Sequence, residues 1–261
     1  MPTKRIAIFA ATQWEMNAVR SAFPSAIERR IGSRSVFVRV LGDREYWLVQ
    51  TGVGPDKAGR SAAQLFDSQS FNLMVSTGFA CALIAADIGT LLVGREVAHR
   101  GAHSDESTGV HEVPGEERDL VMALAETLVP PEHIGRFVST DRIIGSALEK
   151  RRFALNTQAI GLDMESSALA VQAQRAKVPY VIIRSVSDLL DEDLPLDFNL
   201  FLRPTGWLKG VGAVLAAPSS LLGLGRLRRQ SALAAEALTA FFRRYAAAMA
   251  TERQTKELSA T

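Results

Sequence analysis

The chain has 261 residues, 47% of them hydrophobic and 22% charged, and its 30 basic and 28 acidic side chains leave a formal net charge of +2. That is long enough to bury a full core in one large domain, and the near-neutral balance gives no general electrostatic case for a nucleic-acid partner. The single cysteine, Cys81, excludes an internal disulfide framework, and no charge-free apolar run of about eighteen residues suggests a spanning helix.

Met1 to Arg5 run straight into a short apolar stretch, too brief for a secretory signal, so the cytoplasm is the expected compartment. Ile6 to Ala10 read as a first strand. Trp14 to Ala22 read as a helix, with Thr12 as a candidate cap and Glu15 in its first turn. Ser35–Val40 and Tyr46–Gln50 read as antiparallel strands turned at Gly42-Asp43, followed by Thr51-Gly52-Val53-Gly54-Pro55 and a helix from about Asp56 to Phe66. Leu73 to Ser76 is a buried strand expected to end at Thr77-Gly78, where a missing side chain lets backbone N–H groups approach a ligand. A strand lies within Asp87–Val97, a polar loop spans His99 to Gly115, and a helix follows at about Glu116–Leu128. The pattern next gives a strand at Arg136–Ser139, a helix from Glu165 to Arg175, a β-branched strand at Tyr180–Ile183, and an alanine-rich helix from Ser231 to Met249. This alternation predicts an α/β fold, a three-layer sandwich around a mostly parallel mixed central sheet, in a single domain over residues 1–250.

Two segments stand apart. Pro204 to Leu227 are apolar but broken by Gly206, Gly210, Gly212, Pro218, Gly223 and Gly225, an insertion at about 200–230. One reading is a lid or a partner-facing helix pair. The other is a peripheral membrane contact through residues 204–229, motivated by Arg226, Arg228 and Arg229 beside the apolar residues. Thr251 to Thr261 are polar and expected to fray.

Two carboxylates mark the chemistry. Glu165, in Gly161-Leu162-Asp163-Met164-Glu165-Ser166, and Asp188, in Arg184-Ser185-Val186-Ser187-Asp188, both leave predicted strand ends, where an α/β sheet opens its ligand crevice. Each has a bland alternative: Glu15 and Glu165 as helix-start residues, Asp188 as a turn cap, Met164 and Ile144 as core. Asp191-Glu192-Asp193 reads as a solvated acidic loop. His99 and His103 are four apart with no third ligand at defined spacing, so no metal is expected, and Cys81 reads as a small buried residue rather than a nucleophile.

Ala10 to Glu15, Thr51 to Gly54, Ser76 to Leu83, Asp163 to Ser166 and Arg184 to Asp188, in this order, resemble the purine and uridine phosphorylase superfamily. The likeness is nearest to its nucleosidase branch, typified by 5′-methylthioadenosine/S-adenosylhomocysteine nucleosidase, and runs from residue 6 to about 193. It implies hydrolysis of the N-glycosidic bond of a purine nucleoside without a cofactor, by a homodimer or higher homo-oligomer. Carried over by position, Glu15 activates the attacking water, Asp188 is the acid beside the purine, and Ser187 accompanies it. Glu165 binds the ribose hydroxyls and Met164 lies under the sugar. Ile143 and Ile144 fall at the base pocket, and Gly78 and Phe79 at the sugar.

The chemistry fits these residue types. Cleavage builds positive charge on the sugar and negative charge on the departing base, so a carboxyl whose pKa rises on enclosure can protonate N7 while a second carboxylate takes a proton from water. Phe79 departs from the small hydroxyl residue usual at its place, and Arg142 from a small residue beside the base; Arg142 faces either an anionic group or solvent. The apolar tail suits a bulky 5′ substituent, as in hopanoid-linked or futalosine-type substrates. Phosphorolysis needs arginines near the first strand, yet Ala10-Ala11-Thr12-Gln13 offers none and Glu15 repels phosphate, so hydrolysis is favoured. Thr77, Gly78, Arg39 and Arg44 are the counter-candidates for a phosphate site.

Overall fold

The computed structural model describes residues 3–32, 34–101, 108–110, 113–196, 198–199 and 219–259. The strands are β1 (Lys4–Ala10), β2 (Ile27–Ile31), β3 (Arg34–Leu41), β4 (Arg44–Gln50), β5 (Leu73–Ala82), β6 (Leu91–Arg100), β7 (Thr108–Val110), β8 (Ile134–Thr140), β9 (Gly161–Asp163) and β10 (Tyr180–Asp188). The helices are α1 (Gln13–Ala22), α2 (Pro55–Ser68), α3 (Glu116–Leu128), α4 (Ala147–Thr157), α5 (Ser166–Arg175) and α6 (Ser219–Ser259), with a short 3-10 turn at Pro131–His133.

Alternation along β1 shows how the layers form. Ile6 and Ile8 face a core completed by Met16 and Val19 of α1, Val121 and Met122 of α3, and Leu238, Phe241, Phe242 and Tyr245 of α6. Ala7 and Phe9 face the other core, with Ala58, Ala62 and Leu65 of α2 and Leu169, Ala170 and Ala173 of α5. A period of two in the strand and of three to four in each helix therefore places helices on both faces of the β1 region.

The sheet is mixed, and it closes on itself. Its order is β10-β6-β8-β9-β5-β1-β4-β3-β2, with a further pairing of β10 to β5 and β7 alongside β6. The pairs β1–β4, β1–β5, β5–β10, β6–β8 and β8–β9 are parallel, and β2–β3, β3–β4, β5–β9, β6–β10 and β6–β7 are antiparallel. The expectation of a mostly parallel, three-layer sheet is corrected in this respect. The β2–β3–β4 meander has no helix between its strands, and β5 is long enough to serve β1 with its first half and β9 with its last two residues, bending the ladder into a barrel.

Phe137 fills the barrel interior. A Cβ at Gly94 would lie 2.8 Å from both Ile182 Cβ and Phe137 Cδ2, and one at Gly161 2.6 Å from Phe137 Cε1, so the two glycines leave the space that this ring occupies. Such tight filling is what a five-membered ring of strands requires at its narrow centre.

Other boundaries differ for physical reasons. The edge strand β2, Ile-Glu-Arg-Arg-Ile, is nearly all exposed and carries no apolar alternation; pairing with β3 holds it. Helix α4 lacks an apolar stripe, and Lys150 is its one buried residue. Strand β5 runs through Gly78 to Ala82 because β10 pairs with it as far as Cys81 and β9 with Cys81 and Ala82, and β7 forms within the span expected to be a loop. Helix α6 extends the expected 231–249 span at both ends, so residues 219–229 are its first turns; residues 204–218, where the lid or membrane reading falls, lie outside the described residues. Among the described residues no helix is long and apolar enough to cross a membrane.

Two substitutions test the barrel centre by chemical denaturation. Phe137→Ala is expected to cost about 3–5 kcal/mol through the cavity it leaves, and Gly94→Ala about 1–3 kcal/mol through overpacking. Native-like stability of both variants would show that the ring is not closely packed.

Candidate active site

The site forms where β5 changes neighbours. Leu73–Ser76 pair with β1 and Cys81–Ala82 with β9, while Thr77–Ala80 pair with β10 alone, leaving a gap in the ladder on the other edge. Glu15 enters that gap. Its Oε1 accepts the Phe79 N–H at 2.7 Å, the bond a strand partner would otherwise supply. Gly78, at φ +138°, makes the approach possible: a Cβ there would fall on Glu15 Oε1 and Arg184 Nη1. The missing side chain therefore makes room for a buried carboxylate and guanidinium, and Gly78 itself is not among the residues that line the adjacent cavity.

Glu15 is also the third residue of a capping box. Thr12 Oγ accepts the Glu15 N–H at 3.2 Å, and Glu15 Oε2 accepts from Thr12 N–H at 2.7 Å and from Thr12 Oγ at 2.8 Å. With only 4% of its surface exposed, this carboxylate is fixed by three donors.

Opening onto it is a cavity of about 360 Å³ whose wall includes Glu15, Phe79, Ile143, Ile144, Met164, Glu165, Ser187 and Asp188. These elements of the sequence reading are thus brought together. The ring of Phe79 meets Trp14 edge-on at 6.4 Å between centroids and covers the Glu15 side. Leu194, Phe198 and Leu227 add an apolar wall, the last from the first turns of α6.

Glu165 precedes α5. Its Oε1 accepts the Gly54 N–H at 2.8 Å, and its Oε2 lies 3.8 Å from Arg184 Nη2. Burial pushes its carboxyl up to about 7; Arg184 and the Gly54 bond oppose that shift, and the neighbouring charges of Asp163 and Glu15 add to it.

Asp188 ends β10 just past an irregularity in the register, where Val186 faces Ala80 and Asp188 faces Cys81. The extra residue, Ser187, re-aims both side chains towards the cavity, as bulges beside sites do. Burial raises the Asp188 carboxyl above its ordinary value against the pull of Lys150, whose Nζ sits 2.8 Å from Oδ1. Cys81 is buried, and its thiol is pushed far up by that burial and by the Asp188 charge, so it is no nucleophile.

Three residues that the pattern did not single out hold the site together. Arg184, 1% exposed, lies beneath the cavity floor, 2.9 Å from Asp163 Oδ2, and donates to Ser76 Oγ, Ser166 Oγ and the Thr77 carbonyl. Asp163 accepts from Ser139 Oγ at 2.5 Å, from Ser166 Oγ, and from the backbone N–H groups of Glu165 and Ser166, anchoring the first turn of α5. Lys150 is the third. Their signals are long-range pairings, visible only as charges in otherwise apolar or short polar runs.

Other candidates fall elsewhere. Arg142 pairs with Glu149 away from the cavity. Arg44 forks onto buried Glu117 at 2.8 and 3.0 Å, Thr77 Oγ donates to the Ile183 carbonyl, and neither Arg39 nor Arg44 lines the cavity. His99 meets Ser167 and Asp141; His103 is outside the described residues, and among the described residues no three acidic, cysteine or histidine groups form a metal cluster. Asp191, Glu192 and Asp193 are not simply solvated: they bond to Arg151, Gln230 and the Ala147 N–H. Ile143 has both backbone groups engaged by the Asn199 carboxamide, at 2.8 and 2.9 Å.

Known proteins resemble this chain in sequence and in fold. A 5′-methylthioadenosine/S-adenosylhomocysteine nucleosidase of Staphylococcus aureus (strain MRSA252) is 24% identical over 210 residues, covering 76% of this chain and 92% of its own. The crystal structure of the Helicobacter pylori enzyme of that name superposes with a TM-score of 0.68 at 18% identity, over 92% of this chain and 98% of that one. A futalosine hydrolase mutant of Helicobacter pylori strain 26695 gives 0.67 at 17% identity over the same shares. The family model of the phosphorylase superfamily matches residues 5–203, well over half of the sequence. The chain therefore belongs to the phosphorylase superfamily.

Proposed function

We propose that the protein is a nucleosidase that hydrolyses the N-glycosidic bond of a purine nucleoside, an adenosine modified at its 5′ position. The observation that carries this reading is the cavity wall itself: Glu15, Asp163, Glu165 and Asp188 line it, and no lysine or arginine does among the described residues. A phosphate dianion would meet four carboxylates and no exposed cation, whereas water and a neutral nucleoside carry no such penalty.

In this reading Asp188, raised towards protonation by enclosure, gives its proton to N7 of the base as the glycosidic bond breaks. Glu15 takes the proton of the attacking water, its orientation set beforehand by Thr12 and the Phe79 N–H. Glu165 accepts the two ribose hydroxyls, and Met164 packs under the sugar. Phe79 presents no hydroxyl; its backbone N–H takes part through Glu15 instead. The apolar wall of Leu194, Phe198 and Leu227 supports a sizeable apolar 5′ group. The same wall supports the second reading, a phosphorylase for a hopanoid-linked or similarly bulky 5′-substituted adenosine, and a futalosine-type substrate is a third fit. The expected homo-oligomer and the contact of residues 204–229 with a partner or a membrane surface belong to this proposal too.

Free base measured by chromatography, with a panel of 5′-substituted adenosines and with or without phosphate, decides between hydrolysis and phosphorolysis. Release independent of phosphate is expected, and strict phosphate dependence would remove the hydrolase reading. Asp188→Asn should lower kcat by about 10²–10⁴-fold, the span of general acid catalysis, while still binding nucleoside.

The Glu165 carboxyl supplies a pH dependence. It ionises near about 7, and the ionised form offers two acceptors to the ribose. Affinity for a non-cleavable nucleoside analogue, followed by calorimetry, should therefore rise as pH increases through 7 and then level off. Glu165→Gln should bind about 10–100-fold more weakly with a flat profile. Because the folded pKa exceeds the unfolded one, the folded state holds this proton more tightly, and stability falls as pH rises from the ordinary carboxylate value to above 7. The same variant should thus melt higher than the wild type above pH 7, and equal melting temperatures there would contradict the raised value.

A further inference from the structure

Helix α4 packs on the protein in an unusual way. A surface helix normally buries an apolar stripe, yet in α4 Phe153 and Ala154 pack only partly against the core, Leu148 and Leu155 are 59% and 80% exposed, and the one fully buried residue is Lys150, at 0%. Burying an ammonium is costly unless it is paired and its donors are all used. Lys150 Nζ meets both conditions, with Asp188 Oδ1 at 2.8 Å and the carbonyls of Leu189 and Glu192 at 3.0 and 2.6 Å.

The surrounding bonds tie the same two pieces of chain together. The Leu194 N–H donates to the Gly145 carbonyl at 2.8 Å, the Ala147 N–H to Asp193 Oδ1 at 2.7 Å, and Arg151 Nε to Asp191 Oδ1 at 2.6 Å. Residues 188–194 are thus zipped to the start of α4. Within that zipper the backbone and surface contacts fix the loop and place the Leu194 side chain on the cavity wall, and the Lys150–Asp188 bond is the one that holds a carboxylate lining the cavity.

We propose that Lys150 is the positioning residue of the acid: by holding Oδ1 of Asp188 it turns Oδ2 towards the base and sets how readily the carboxyl gives up its proton. This rests on the nucleosidase reading and deepens it. The ionisable groups that act on the Asp188 carboxyl are Lys150 from α4, Glu192 from the loop after β10 and the Cys81 thiol from β5. Lys150 and Cys81 favour the ionised form, and Glu192 with burial favours the protonated one. Removing the ammonium leaves only the Cys81 thiol opposing the second pair, so the acid holds its proton to higher pH and donates it less willingly. A lysine that only glued α4 to the sheet would alter stability without touching this balance.

The test compares wild type, Lys150→Met and Lys150→Arg, each alone and in an Asp188→Asn background, with thermal melting run alongside. Lys150→Met is expected to lower kcat by about 100-fold, the lower end of general acid catalysis, with KM changed less than about threefold because Glu165 still holds the sugar. The descending limb of its kcat against pH should move to higher pH. Lys150→Arg keeps the charge and should restore about tenfold of the lost kcat with the limb near its wild-type place. In the Asp188→Asn background Lys150→Met should cost nothing further, since it acts through the carboxyl that is gone. A folded Lys150→Met enzyme with wild-type kcat and pH limb would overturn the proposal, as would an equal loss in both backgrounds. If Lys150→Met fails to fold, Lys150→Arg decides alone: a displaced limb at a retained melting temperature would overturn it. Wild-type turnover is measured first, so absence of base release removes the nucleosidase reading, while turnover unaffected at position 150 removes this inference only.

Discussion

Charge balance in one cavity constrains the rest of the site. Four carboxylates, Glu15, Asp163, Glu165 and Asp188, converge on it, and two fully enclosed cations, Arg184 and Lys150, stand behind them. Burial raises both Glu165 and Asp188 from their ordinary values; Asp163 and Glu15 add to the shift of Glu165 and Glu192 to that of Asp188, while Arg184 and Lys150 oppose them. The readier protonation of these carboxyls is therefore a product of enclosure first and of neighbouring charge second. A wall of carboxylates also disfavours an anionic co-substrate, so in the proposed hydrolysis the choice of water and the supply of a proton share one electrostatic setting.

The sheet creates the geometry that this balance requires. By exchanging β1 for β9 along its edge, β5 leaves four residues without a second partner, and a side chain from the next helix takes the vacant bond. Local and functional roles then coincide in Glu15. As a capping-box residue it stabilises α1, and as a carboxylate pinned on three sides it can face a nucleophile without rearranging. The helix-capping role of this residue and its proposed chemical one do not compete, because the same bonds serve both.

Much of this was legible in the sequence, and the residues that were not share a reason. The spans of α3, α5 and the β3–β4 hairpin follow from periodicity and turn chemistry, and the positions of Glu15, Glu165, Met164, Ser187 and Asp188 around one cavity follow from motif order. Lys150 sits in a helix with no apolar stripe, and its meaning depends on a contact 38 residues away. Arg184 was visible in a motif, but nothing local told a floor residue from a strand residue. The conformational freedom of Gly78 is legible from its residue type, but the side chains that use its space come from other elements. Barrel closure escaped notice for a similar reason: it depends on which neighbour each half of β5 selects, and strand composition does not encode that choice.

The ties linking residues 145–151, 188–194 and the early turns of α6, where Arg226 and Gln230 reach Glu192, have a further consequence for motion. Elements laced this way break their bonds jointly, as one cooperative opening unit in native-state hydrogen exchange. The Asp188 carboxyl at the end of β10 could then be exposed to bulk solvent only by the event that also loosens the apolar wall around Leu194 and Leu227. Dryness around that carboxyl and closure of the wall would rise and fall as a single thermodynamic quantity.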